Sequence, residues 1–407
     1  GDGDFTFSRN SAATRVNAQG LVENVQILSS NLVQNGDFSE IGAEQVTNGS
    51  FSEEGAELIT NGDFATDSDW AKSGWVIENG KALNSASSAG NNLYQGNVTL
   101  VGKTFKVVID TTISAGSVRV MLGGGSGGYN VIGEATTNGT FTYYGVSNGT
   151  DNRLLLQTGS GSTIGSVSID NVSVKEVGQD WILDANWSIG DDKAISDGSV
   201  NGFIRTSTNL FESGKTYKVG LTVSNMTTGK VTYPYDGSGS TSILSNGTFS
   251  QIYTPDNTNK CWIYANNGFD GSITNITVKE VGQNWTIENT WTIGNSVANG
   301  NGANGGSEEI IQNSVLVVGK EYKATYQVLN YVSGSVALWK GSGVSLIQRT
   351  ANNTYTEYFT GASNQIRFRG TNFIGSITNI VIKEVTNDTD LPRINYEGFS
   401  YQDVLGS

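Results

Sequence analysis

The chain has 407 residues and a formal net charge of −14, with 24 Lys and Arg against 38 Asp and Glu. At ~150 residues per domain this length predicts two to four domains, and the acidic balance disfavours nucleic acid or an anionic membrane as the main partner. There is no histidine, so Ser-His-Asp and Cys-His triads and His-ligated zinc are excluded, and the single cysteine, Cys261, leaves no internal disulfide. Few charges, 53 glycines, 10% aromatics and many β-branched residues predict an all-β protein with several small cores. No apolar run is long enough for a membrane span, so no membrane insertion is expected.

The chain opens with DFTFSRNSAATRVNAQGLVE at 4–23. Phe5 and Phe7 alternate like a strand, while Arg9 and Arg15 supply two of the few cations. Residues 1–30 read either as a docking segment that adds a strand to another subunit, or as an edge strand returning beside LPRINY at 391–396. A short repeat follows: NLVQNGDFSE at 31–40, EQVTNGSFSE at 44–53 and ELITNGDFAT at 57–66. Its first two copies look like domain openings with no domain behind them, which makes 31–57 a slipped-duplication linker. The alternative is a short strand stack or a strand offered to a neighbour.

A longer repeat occupies the rest. Lys-Glu-Val recurs at 175–177, 279–281 and 383–385; Trp70/Trp75, Trp181/Trp187 and Trp285/Trp291 stand near the openings. GKTFKVVID at 102–110, GKTYKVGLTV at 214–223 and GKEYKATYQV at 319–328 match, as do NGTFTYY at 138–144, NGTFSQIY at 246–253 and NNTYTEYF at 352–359. Three copies are expected, at 58–178, 179–282 and 283–386, with 387–407 as a C-terminal flank. Short alternating strands between turns such as GGGSGG at 123–128 and DGSGS at 236–240, without helical periodicity, predict three tandem jelly-roll β-sandwiches.

Copy one, with NGDF at 61–64 and SIDNVSVKEV at 168–177, resembles the carbohydrate-binding jelly rolls of families 4 and 9 in the galactose-binding-like group. The resemblance implies a structural Ca2+ between first and last strands, with Asp63 and Asp170 as its carboxylates; no other cofactor is required. Copies two and three lack NGDF in place and carry Thr274 and Thr378 where copy one has Asp170.

The flanks resemble segments of tailed-bacteriophage virion proteins, particularly tail fibres. The match runs through Phe5, Phe7, Arg9, Ser11, Ala13, Thr14, Arg15, Val16, Asn17, Gly20, Leu21 and Glu23, then Pro392, Arg393, Ile394, Asn395 and Tyr396. It implies assembly through Phe5, Phe7, Arg9, Arg15, Pro392, Arg393 and Tyr396, a virion-surface or extracellular location, and a homo-oligomer or other virion proteins as partners.

Along the penultimate strand, Leu154/Leu156, Cys261/Ile263 and Ile366/Phe368 read as core, with Cys261 a buried small hydrophobe. Alternation turns Leu155/Gln157, Trp262/Tyr264 and Arg367/Arg369 to the other face. Copy two thus offers a stacking pair for a sugar ring, which Tyr233 or Tyr235 can join, and copy three offers two guanidiniums for an acidic glycan. Packing or subunit contact is the alternative use of these side chains, and the repeated tryptophans read as structural. Asp67/Asp69, Asp191/Asp192 and Glu308/Glu309 read as solvated turns rather than a glycosidase pair, so no catalysis is expected. The resulting expectation is a virion appendage protein with glycan-binding modules acting by avidity. Its rival is a fibre subunit in which the modules are spacers and terminal strands join subunits.

Overall fold

The computed structural model describes residues 14–16, 22–24, 27–84, 89–159, 167–235, 241–288, 291–302, 307–340 and 346–386. Among these the chain is all-β, with strands and turns and no helix. In module 1 two five-stranded antiparallel sheets face each other. One orders Tyr129–Ala135, Val118–Gly123, Arg153–Thr158, Asn92–Gln95 and Ala71–Lys72; the other orders Gly139–Val146, Thr104–Ile113, Val167–Val177, Lys81–Asn84 and Trp75–Glu78. Inward alternation places Phe105, Val107 and Ile109 of one sheet against Val120, Leu154 and Leu156 of the other, forming one closed core.

Modules 2 and 3 repeat this plan with two strands that run through both sheets. These are Thr216–Tyr233 and Trp262–Val281 in module 2, and Glu321–Trp339 and Ile366–Thr386 in module 3. Register shifts between Ser224 and Lys230, and between Leu329 and Ser335, mark where each strand crosses from one sheet to the other.

The linker expected over 31–57 is corrected. Its repeats are the missing openings of modules 3 and 2, used in reverse chain order. Phe64 of the third opening packs on Trp70 in module 1, with ring centroids 5.2 Å apart. Phe51 of the second packs on Trp181 in module 2 at 5.1 Å, and Phe38 of the first packs on Trp285 in module 3 at 5.3 Å. The three indole N–H groups donate to the carbonyl oxygens of Asn61, Asn48 and Asn35. Copies two and three therefore do have the opening that they lack locally. The modules are nested, each outer one formed from two distant stretches of chain.

The opening motif has one physical logic in all three places. Its Asn and Phe adopt left-handed backbone, at Asn35, Asn48 and Asn61 and at Phe38, Phe51 and Phe64. Between them, Gly36, Gly49 and Gly62 lie so close to the last strand that a Cβ would stand 2.0 to 2.1 Å from the carbonyl oxygens of Ile380, Ile276 and Val172. Those same residues donate their N–H groups to the glycine carbonyls at 2.9 Å. The last strand accommodates this with a bulge at a left-handed Asn171, Asn275 or Asn379. Opening and closing motifs thus join directly, and only glycine permits the approach.

Just ahead of each opening, a short stretch lies along the end of the last strand. Leu28 and Ile27 pair with Val385 and Thr386, Ile41 with Val281, and Glu54 with Val177. A second anchor repeats with changed chemistry. Glu57, Glu44 and Asn31 accept the backbone N–H of Val174, Val278 and Ile382 at 2.8, 2.7 and 2.9 Å. The N-terminal run 27–66 therefore passes along modules 3, 2 and 1 in turn and is stitched into each.

Candidate functional site

The penultimate strand divides its side chains between core and outer face. Leu154, Leu156, Cys261, Ile263, Ile366 and Phe368 are fully buried, and burial pushes the Cys261 thiol up to about 12. The outer-face residues differ between modules, and antiparallel pairing decides their neighbours.

In module 2, Phe203 stands opposite Tyr264 and Arg205 opposite Trp262. Phe203 stacks on Tyr264 with centroids 4.5 Å apart, meets Trp262 edge-on at 5.2 Å, and lies 5.2 Å from Tyr235. Tyr235 closes the group at 5.0 Å from Tyr264. All four rings are half-buried, leaving aromatic surface on the outer face of the sheet. Arg205 lies over the Trp262 ring at 4.8 Å and pairs with Asp184 at 3.0 Å. The Trp262 indole donates to Asn259 Oδ1 at 3.0 Å. An apolar plate with an amide, a guanidinium and a carboxylate at its rim suits a ligand with apolar faces and hydroxyl edges.

Tyr233 is a correction. It is 1% exposed in the module core, and burial pushes its phenol up to about 12. Its neighbour Thr232 is the register partner of Tyr264, so Tyr233 points away from the plate and is packing, and the strand ends at Tyr233, ahead of Tyr235. Phe203, Arg205 and Asp184 were not singled out from the sequence. The alternation of GFIRT at 202–206 holds the signal for Phe203 and Arg205, but the partner strand is needed to read it.

In module 3 the two guanidiniums are already occupied. Arg367 Nη1 donates to Glu309 Oε2 at 2.8 Å, and Arg369 Nε to Glu309 Oε1 at 2.6 Å. Arg367 also reaches Gln365 Oε1 at 3.1 Å, and Arg369 lies 3.8 Å over the Trp339 ring. Glu309 is 3% exposed in the Ser307–Gln312 strand, which corrects its reading as a solvated turn. The internal carboxylate fills the role expected of an acidic glycan. In module 1 the same face carries Tyr94 with Arg153 over its ring at 4.8 Å, beside an amide pair of Gln157 and Asn92.

The ends of the first and last strands differ among modules as the sequence suggests. In module 2 the Thr274 hydroxyl lies 3.2 Å from the Ser50 carbonyl oxygen and 3.1 Å from that of Asp192. In module 3 Thr378 lies likewise 3.4 and 2.9 Å from those of Asp37 and Ser296. Module 1 has Asp170 in this place, a group that cannot donate when ionised. Asp63 accepts the Ala65 N–H at 3.3 Å and Asp170 the Asn171 N–H at 2.8 Å. Among the described residues no three carboxylate or cysteine side chains converge.

Phe5, Phe7, Arg9, Pro392, Arg393 and Tyr396 lie outside the described residues, as does the turn at 236–240. Arg15 belongs to the Thr14–Val16 strand, which pairs with Val22–Asn24. Among the described residues no helix is long and apolar enough to cross a membrane.

No protein-family model matches the chain. No curated protein matches it either. Among solved structures it is similar to the tandem CBM22-1–CBM22-2 domain of Paenibacillus barcinonensis Xyn10C, at 10% identity and a TM-score of 0.27, over 58% of this chain and 100% of that one. It is also similar to an archaeal virus protein of triple jelly-roll fold and turret assembly, at 13% identity and 0.20, over 78% and 89%. A truncated AlyQ with CBM32 and alginate lyase domains matches at 10% identity and 0.20, over 88% and 100%. At these identities and TM-scores the likenesses carry no argument about activity or ligand.

Proposed function

We infer that this protein is a non-catalytic adhesion arm of a virion appendage that binds cell-surface glycan on the outer face of module 2. The observation that carries this reading is the half-exposed plate of Phe203, Tyr235, Trp262 and Tyr264, rimmed by Arg205, Asp184 and Asn259. Pyranose rings present C–H faces to aromatic surface and hydroxyls to the rim. Arg205 is already paired with Asp184, which favours a neutral sugar. Binding to a panel of immobilised glycans tests this, with Trp262→Ala as the control. Equal retention of both proteins on every glycan would end the reading.

A structural role has its own support in the nested modules, which the run 27–66 ties together. In that reading the modules are spacers, and homo-oligomers or contacts with other virion proteins form at the terminal segments. Light scattering on the full chain, alone and mixed with candidate virion proteins, distinguishes it from the adhesive reading when glycan binding is absent.

We further propose that module 1 takes a structural Ca2+. Asp170 stands where the sister modules use a hydroxyl to hold two carbonyl oxygens, and a carboxylate with carbonyl oxygens suits a hard cation. Asp63 would add its carbonyl or carboxylate oxygen.

A further inference from the structure

The aromatic plate of module 2 does not end at its rim. The edge strand of that sheet is Trp181–Leu183, which pairs with Gly202–Thr206, and this pairs in turn with Trp262–Val281. Register sets Ile182 opposite Arg205 and Arg205 opposite Trp262, so these three side chains form one row across the outer face. Asp184, Phe203 and Tyr264 make the next row. The Asp184 N–H donates to the Phe203 carbonyl oxygen at 2.9 Å, and Phe203 stands opposite Tyr264. Ile182 is 36% exposed at this edge.

Beyond the edge strand lies module 1. Between the two modules is a cleft of about 380 Å3, lined on one side by Ile182, Asp184 and Ala185 and on the other by Lys103, Val146 and Glu176. That volume falls in the ~300–1,000 Å3 range of small-ligand clefts. Lys103 pairs with Glu176 at 3.2 Å, its side chain half exposed. The walls repeat the chemistry of the plate, with apolar surface from Ile182 and Val146 and an ammonium and two carboxylates to meet hydroxyl groups. Asp184 belongs to both places, pairing with Arg205 at the rim of the plate and lining the cleft. The junction between modules 2 and 3 has a cleft of the same size, about 380 Å3, but no plate adjoins it. There the lining residue Glu288 accepts the N–H of Glu309, whose carboxylate is held by Arg367 and Arg369.

We propose that the plate and the cleft between modules 1 and 2 are one binding site, whose ligand is a neutral oligosaccharide running from Trp262 across Ile182 to Lys103. This rests on the glycan reading of the plate and adds the length of the ligand to it. Trp262 and Ile182 are two strand spacings apart, about 10 Å, so a single ring on the plate does not reach Lys103. A chain of several rings does, and it gains the walls of both modules. Each cation along the path is already paired, Arg205 with Asp184 and Lys103 with Glu176, which is why the chain is neutral.

The test is acetylation of lysines by acetic anhydride in the full chain, read peptide by peptide with and without neutral oligosaccharides. The probes are homologous series of glucose, xylose, mannose, galactose and N-acetylglucosamine, from the monosaccharide upward, with binding followed by calorimetric titration. Lys320, the counterpart of Lys103 in module 3 and paired likewise with Glu384 at 2.9 Å, is the internal reference. In a series that binds, affinity should rise several-fold with added rings. The longer members should slow acetylation of Lys103 several-fold against Lys320, while the monosaccharide leaves it unchanged. Trp262→Ala should abolish both effects. Binding that needs Trp262 but leaves Lys103 unprotected at every length overturns the extended site and leaves the plate standing. Protection that the monosaccharide gives equally, or that survives Trp262→Ala, also overturns it, the second result by assigning the cleft a ligand of its own. Absence of binding in every series ends the plate reading and this proposal together.

Discussion

The indole N–H of Trp285 donates to the backbone oxygen of Asn35 at 3.1 Å, across 250 positions of sequence. Between these two residues lie both of the other modules. The outermost module is therefore completed only when distant ends of the chain meet, and closing so long a loop costs little more than closing a short one.

Removing the opening phenylalanine should damage the module it packs in, not the one nearest in sequence. Phe38→Ala should destabilise module 3 by about 3–5 kcal/mol, the usual range for a buried aromatic. Hydrogen exchange read by mass spectrometry should show loosened protection in 283–386 with module 1 unchanged. Phe51→Ala should do the same for module 2.

Gly49→Ala should be costly out of proportion to its size. The new methyl would meet the Ile276 carbonyl oxygen at 2.0 Å, forcing the opening away from the last strand. A loss of more than about 1 kcal/mol is expected for a substitution incompatible with the native backbone. Denaturant unfolding followed by tryptophan fluorescence checks it, through Trp181.

The two aromatic positions of module 2 should separate binding from stability. Trp262→Ala should weaken binding to the retained glycan by about tenfold or more, as for an aromatic anchor, with little change in melting temperature. Tyr233→Ala should instead lower stability, because its ring is in the core. Calorimetric titration and thermal melting of the same samples distinguish the two.

Glu309 should be the switch for anion binding in module 3. Glu309→Ala leaves Arg367 and Arg369 without their carboxylate, costing about 1–3 kcal/mol and freeing both guanidiniums. Sulfate should then raise the melting temperature of the variant more than that of the parent protein.

Glu54 accepts from Lys106 at 2.6 Å and from Lys175 at 2.9 Å, and these hydrogen bonds hold its carboxyl below the usual carboxylate range. Its stabilising contribution is therefore present above the unfolded-state value and is lost as pH falls through the lower folded value. For a pair this exposed it is about 1 kcal/mol or less. Glu54→Gln should lower stability at neutral pH, and the gap should close in acid when unfolding is followed across pH. In a parallel series, Ca2+ should raise the melting temperature of the parent but not of Asp170→Thr, whose hydroxyl reproduces the arrangement of the sister modules.

The repeat itself was legible from the sequence, because period-two alternation and recurring Lys-Glu-Val, tryptophan and Asn-Gly motifs are local. The alternation that separated Leu154, Cys261 and Ile366 from Leu155, Trp262 and Arg367 was enough to divide core from outer face. Tyr233 was misread because its strand position relative to Tyr264 depends on register, which no single strand carries. Glu309 was misread because an acidic side chain is solvated unless cations meet it, and its arginines lie on another strand.

By itself the sequence determined an all-β chain of three like sandwiches, their inward-facing residues, and three openings of one type. Only the tertiary structure decided which opening completes which module. The three openings carry nearly the same residues, and each core offers the same tryptophan, asparagine bulge and carbonyl to receive them. Local chemistry is therefore degenerate, and the order of packing along the stack breaks the tie: the third opening joins directly to module 1, leaving the second and first to reach back to modules 2 and 3 in turn.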